Sequence, residues 1–407
     1  MFHPYRDACF AIALCLCALA YKGCDNNPRP SNQNRRVSAA PAPTTGPSPE
    51  TSTSASLPAA ELRSESEPVY GITVDSIDDP TAIAGSIRVI NDSLPKRPDG
   101  RSPVTTRIVL DYEQPLTVEY VNKVAAIHAV SDVMLLVADS HDLYKFKSAD
   151  EYRRRLADCV EKLGKYVDIW EVGNEVNGEW AAYPRNPDET DKQFDDRLYK
   201  KELPKKRNEE LEPVRLKVKD SITTGFDVLK GKTIALTLYF NADSPDGQPD
   251  GCNYPGQYCW PDICRDKVNY GHEYEMFAWL NKYFVPTGLK PNYLLVSYYG
   301  DDHNDCGNIK MDAAKWEGIF NKLHGLYRDA KLGIGEIGAQ CNKCKDSRNC
   351  CKKDKSYYVS AYYGTIDRHL KGTVENYVGG YFYWYFLQDM VPNTRPELGE
   401  LIRAIKP

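Results

Sequence analysis

The segment Asp168-Ile169-Trp170-Glu171-Val172-Gly173-Asn174-Glu175 is a short apolar run, interrupted once by an acid and closed by an Asn-Glu pair. Its β-branched and aromatic content predicts a buried strand. Gly173 allows the backbone to turn sharply where the run stops, so Asn174 and Glu175 are expected at the strand's C-terminal end. A second segment, Leu332-Gly333-Ile334-Gly335-Glu336-Ile337-Gly338, ends another apolar run on a carboxylate set between glycines.

Outward from these two segments the same texture repeats. Apolar runs at Val69–Val74, Thr105–Leu110, Val133–Val137, Val167–Val172, Thr233–Tyr239, Tyr293–Tyr298, Lys331–Gly335 and Tyr377–Tyr385 predict eight strands. Between them lie helical patterns. Val118, Val121, Val124, Ala125 and His128 recur at helical spacing, as do Val214, Val218, Ile222, Phe226 and Leu229. Tyr274–Val285, Trp316–Tyr327 and Ser356–Leu370 fill later helix positions. Strands alternating with helices predict an α/β chain built from βα units, and eight such units close into a (β/α)8 TIM barrel. An open doubly wound sheet would need a glycine-rich phosphate loop after its first strand, and Val69 to Asp79 contains only Gly71. Two connections, 177–213 and 241–272, are long. They are expected at the C-terminal rim, where barrel active sites lie.

The segments WEVGNE (170–175) and GIGEIG (333–338) resemble the fourth- and seventh-strand motifs of clan A glycoside hydrolases, the barrel group of cellulases, β-mannanases and β-xylosidases. The resemblance spans the barrel order from about Val69 to the C-terminus. It implies that Glu175 is the general acid/base, Asn174 a ligand of the sugar 2-hydroxyl and Glu336 the nucleophile. It also implies that Tyr298 or Tyr299 hydrogen-bonds the nucleophile, that Trp384 floors the sugar subsite, and that Arg107, early in its strand, stands near the nucleophile. The function implied is retaining hydrolysis of β-linked glycosides with no cofactor and no metal.

Elementary chemistry makes the same demands on the pair. Glu175 must hold a proton at working pH, which burial and a neighbouring carboxylate favour; Glu336 must stay ionised. Retention requires the two carboxyls ~5–5.5 Å apart.

The rest of the chain predicts an exported protein. Arg6 precedes an apolar run from Phe10 to Ala20 that is too short for a mature membrane helix, so residues 1–24 read as a signal peptide. Ala18-Leu19-Ala20 suits cleavage releasing a soluble chain; Gly23-Cys24 suits a lipoprotein signal, with Cys24 a membrane tether. Residues 25–68, rich in Pro, Ser, Thr and Ala, read as a flexible linker, which leaves 69–407 as the catalytic domain.

The 13 cysteines include two even groups, Cys252/Cys259/Cys264/Cys306 and Cys341/Cys344/Cys350/Cys351. Disulfides stapling the βα loops are the favoured reading of both, with a structural zinc site the rival for the second. Cys159, in an amphipathic pattern, is expected to be a buried free thiol. A net charge of -5 spread along the chain gives no reason to expect nucleic acid or an anionic membrane as partner, and no nucleic-acid partner is expected. The 28 tyrosines and 6 tryptophans suit a carbohydrate partner, and the chain is expected to act as a monomer.

Other readings stay open. Glu171 is expected to pair with a helix cation, and Glu179 to lie on the following loop. Trp170 reads as core and Trp180 as rim. Asp139, His141 and Asp142 read as a solvated loop, and Asp301, Asp302 and His303 as a polar turn rather than a metal site. Tyr239 and Asn241 are candidates for substrate contact, and Tyr258 and Trp260 for sugar platforms or plugs of a disulfide knot. The rival functions are a noncatalytic carbohydrate-binding surface lipoprotein on the same barrel and a zinc-dependent hydrolase.

Overall fold

The computed structural model describes residues 68–178, 181, 204–240, 276–299, 313–338 and 355–406, all within the unit 63–407. The leader, the linker as far as residue 67, Cys24, both cysteine groups, Glu179, Trp180, Asn241, Tyr258, Trp260 and Asp301–His303 lie outside the described residues.

Among the described residues, eight strands pair in parallel, each with the next and the last with the first, closing a barrel. They are β1 (Val69–Val74), β2 (Val104–Val109), β3 (Asp132–Leu136), β4 (Ile169–Glu171), β5 (Ile234–Tyr239), β6 (Tyr293–Tyr299), β7 (Lys331–Gly338) and β8 (Tyr377–Tyr383). Helices intervene as α1 (Pro80–Asn91), α2 (Val118–His128), α3 (Ala149–Leu163), α4 (Pro204–Val228), α5 (Met276–Trp279), α6 (Ala313–Leu326) and α7 (Lys355–Ser360). The turns of α5 and α7 widen into π-helix at Leu280–Phe284 and Ala361–Ile366.

Local chemistry starts several of these helices where the sequence supplies a cap. Asp79 accepts from the Ala82 N–H at 2.9 Å ahead of Pro80, and Thr117 and Ser148 cap α2 and α3 in the same way. α4 begins at Pro204, ten residues before the apolar periodicity at Val214 announces it, so part of the expected loop after β4 is helix. Pro213 lies inside it.

The strands are buried on both faces, hence their unbroken apolar runs. One layer fills the barrel: Val69, Met134, Ile169, Ala235, Tyr293, Leu295, Val378 and Phe382. The other, far larger, lies between strands and helices and contains Trp170, Tyr298, Trp316 and Cys159. Each large apolar side chain buried there contributes roughly 1.5–3 kcal/mol. Cys159 is a buried free thiol as expected, and burial raises its pKa to about 11.

β7 breaks the regular alternation. Val296 pairs with Ile334 and Tyr298 with Ile337, so two residues of β7, Gly335 and Glu336, stand opposite Ser297. Such a bulge re-aims a side chain. Gly335 faces Thr237 and Ser297 so closely that a Cβ there would lie 2.7 Å from Thr237 Cγ2. Glu336 turns to the same side and pairs in register with the barrel-filling Phe382.

Candidate active site

The two glutamates sit at the C-terminal ends of β4 and β7. β4 keeps bonding to β5 past its last regular residue: the Val172 N–H donates to the Ala235 carbonyl at 3.0 Å, and the Thr237 N–H to the Gly173 carbonyl at 2.9 Å. The chain then turns. A Cβ on Gly173 would stand 2.4 Å from Val176 Cγ1, so only glycine fits. Gly173 serves by leaving space. The left-handed residue is Glu175 itself, at φ 48°, a conformation that costs a non-glycine residue ~1–3 kcal/mol and gathers at functional sites.

Glu336 is held from several strands. Arg107 Nη1 donates to its Oε2 at 2.5 Å, and the Tyr299 hydroxyl donates to Oε1. Its backbone N–H donates to Ser297 Oγ at 3.0 Å, and Asn174 Nδ2 stands 3.5 Å from Oε2. Arg107 is only 1% exposed. Its Nε donates to Glu171 Oε2 at 2.7 Å and its Nη2 lies 3.5 Å from Glu171 Oε1, which also accepts from the Thr237 hydroxyl.

Glu175 is buried but sparsely held. It shares the Ser297 hydroxyl, yet its Oε1 has no hydrogen-bond partner among the described residues, and neither has Asn174 Oδ1. Buried acceptors are rarely left so, and at a cleft such atoms are available to a ligand.

Electrostatics separates the pair. Burial pushes the Glu175 carboxyl well above the ordinary carboxylate range. The charges of Glu336 and Asp139 push the same way, while Arg107 and Ser297 pull back weakly. Burial also raises Glu336, but there the charge of Arg107 and the Tyr299 hydrogen bond oppose it. Both carboxyls are thus raised, Glu175 the further, so of the two it is Glu175 that holds its proton to higher pH.

Of the residues singled out in the sequence, Glu175, Asn174, Glu336, Arg107 and Tyr299 are brought together. Tyr298 is not. Its ring packs outside the barrel against Trp316 at 5.4 Å and Phe240 at 5.9 Å, because neighbouring strand residues face opposite sides. Trp384 directly follows β8, half-buried, with its N–H donating at 2.8 Å to the carbonyl of Ile337, the residue after Glu336.

Two further expectations are corrected. Glu171 pairs with Arg107 inside the barrel and not with a helix cation. Asp142, expected in a solvated loop, is buried and accepts from the Tyr112 N–H at 2.8 Å. Asp139 caps the short 3-10 helix Ser140–Lys145, and its charge reaches both glutamates. Tyr239 is fixed through its backbone by Asn177, which accepts from its N–H at 2.7 Å and donates to its carbonyl at 2.9 Å.

Sequence reasoning overlooked Ser297, Thr237 and the Glu171 link. A signal existed: Arg107 and Glu171 are charges inside runs otherwise fit for a core.

No family model matches the sequence, and no curated protein does. Solved structures do resemble the fold. The Ignisphaera aggregans GH53 catalytic domain matches at 11% identity over 86% of this chain and 98% of its own, with a TM-score of 0.47. A family 1 β-glucosidase from Thermotoga maritima, in complex with isofagomine lactam, matches at 11% identity over 79% and 88%, at 0.46. The AHE enzyme of Alicyclobacillus herbarius matches at 12% identity over 76% and 78%, at 0.45.

Proposed function

We propose that this protein is a glycoside hydrolase that cleaves β-linked glycosides with retention, with Glu175 as acid/base and Glu336 as nucleophile. The observation that carries the reading is the asymmetry of two buried carboxyls at the ends of β4 and β7. One is tied to a guanidinium and a phenol; the other is pushed towards its protonated form with one oxygen unpartnered.

In the first step Glu336 attacks the anomeric carbon as the bond to the leaving oxygen breaks, and the Glu175 proton passes to that oxygen. A glycosyl ester on Glu336 results. In the second, Glu175 takes a proton from water, the hydroxide oxygen bonds to the anomeric carbon, and the Glu336 carboxylate leaves. Asn174 Oδ1 is available to accept from a sugar hydroxyl beside Glu336, and Trp384, following β8, is the candidate floor of the sugar ring. Acid/base assistance of this kind contributes on the order of 10²–10⁴ in rate. Residues 1–68 belong to the same proposal as an export leader and linker, with Cys24 the alternative lipid tether.

A panel of mechanism-based 2-fluoro-glycosides followed by peptide mapping tests the reading. The expected label is an ester on the peptide carrying Glu336. A label elsewhere, or glycan binding with no labelling and no release of reducing ends, overturns it, and the second result favours a noncatalytic carbohydrate-binding protein.

A further inference from the structure

Arg107 stands between two carboxylates and is the cation shared by both. Its Nη1 serves Glu336 at 2.5 Å, and its Nε serves Glu171 at 2.7 Å. Glu171 is fully buried at the end of β4, on the inward parity of Ile169, with a hydrogen bond from Thr237 on β5. A buried charge is costly unless it is matched, and here one guanidinium matches two. A guanidinium is a rigid fork, so occupying its Nε edge fixes where Nη1 points.

We propose that Glu171 is a positioning residue for Glu336: it aims Arg107 at the carboxylate and takes up part of the guanidinium charge, which keeps Glu336 nucleophilic. The proposal rests on Glu336 being the nucleophile. Alone, Arg107 would hold Glu336 as an overstabilised anion and weaken its attack. Among the described residues, the other titratable groups facing Glu336 are Tyr299 from β6, Glu175 beyond β4 and Asp139 beyond β3, with Tyr385 beyond β8 acting on Tyr299. None of these touches the Nε edge of Arg107, so among the described residues Glu171 is the group that divides its charge.

The test replaces Glu171 in the full chain and reads Glu336 directly, by NMR titration of ¹³C-labelled glutamate carboxyls, alongside the pH profile of kcat/KM. Glu171→Gln keeps the shape and an acceptor for Nε but removes the charge, and Arg107 stays paired with Glu336. The expected result is a downward move of the Glu336 titration and of the acid limb by about half a unit to one unit. KM should hold while kcat falls, and Glu171→Asp, which restores a charge, should lie between Gln and wild type.

A Glu336 titration that stays put or moves up in folded Glu171→Gln overturns the proposal. Should that variant fail to fold, Glu171→Asp carries the test with a smaller downward move, and no move or an upward one is the overturning result. A downward titration in a protein whose wild type neither hydrolyses nor labels with any glycoside retains the charge sharing and defeats the glycosidase reading.

Discussion

The hydroxyl of Tyr299 donates to Glu336 Oε1, while the residue before it, Tyr298, turns its ring away onto Trp316. The two tyrosines therefore make a matched pair for experiment. Tyr299→Phe removes a charge-assisted hydrogen bond from the buried carboxylate, a loss of about 1.5–3 kcal/mol, and kcat/KM is expected to fall by roughly tenfold to a hundredfold. Tyr298→Phe should leave kcat/KM within about twofold. Steady-state kinetics on one aryl β-glycoside separates them, and equal effects would contradict the assigned geometry.

Removing the shared cation should cost stability as well as activity. Arg107→Met leaves Glu171 and Glu336 buried without their counterion, and urea unfolding at neutral pH should report a loss of about 3–5 kcal/mol. The loss should shrink as the pH falls and the carboxylates take up protons. A loss that does not vary with pH would mean that packing, not charge, is what Arg107 supplies.

The proton on Glu175 gives stability a definite pH slope. Because folding raises its pKa above the ordinary value of 4.5, the native state binds more protons than the unfolded one at higher pH. Its contribution is therefore present below the ordinary value and lost as pH rises through the raised one. Glu175→Gln lacks this penalty, so its urea midpoint should exceed that of wild type, by a margin that widens from pH 5 to pH 8. A margin that narrows over that range would reverse the direction argued for Glu175.

Two glycines should respond oppositely to a methyl group. Gly173→Ala forces a Cβ to 2.4 Å from Val176 Cγ1, which is expected to cost about 1–3 kcal/mol and to lower kcat by displacing Asn174 and Glu175. Gly85, inside α1, has nothing within 4 Å of its Cβ position, and Gly85→Ala should stabilise by about 0.4–1 kcal/mol with activity unchanged. Thermal melts and kinetics on the two variants check both.

The barrel was legible because parallel strands are buried on both faces and so read as unbroken apolar runs. β1 coincides with its predicted run Val69–Val74, and β5 differs from its own only at Thr233. α4 was legible only from Val214, since the charged residues ahead of it carry no apolar period. Glu175 and Glu336 were legible from strand-end position and motif. Alternation settled Tyr299 over Tyr298 only once strand register was known. The partner of Glu171 was misread because inward and outward faces look alike when both are apolar. The doubled step in β7 and the left-handed backbone of Glu175 have no sequence signal beyond nearby glycines.

The doubled step at Gly335–Glu336 sets two inward-facing residues side by side between the outward-facing Ile334 and Ile337. A chain shortened by that single glycine would regain one-to-one alternation with the carboxylate still inward, but without the spare residue that offsets it opposite Ser297. The surplus glycine is thus a spacer that sets the height of the carboxylate along the strand, while the side on which it stands is left to ordinary alternation.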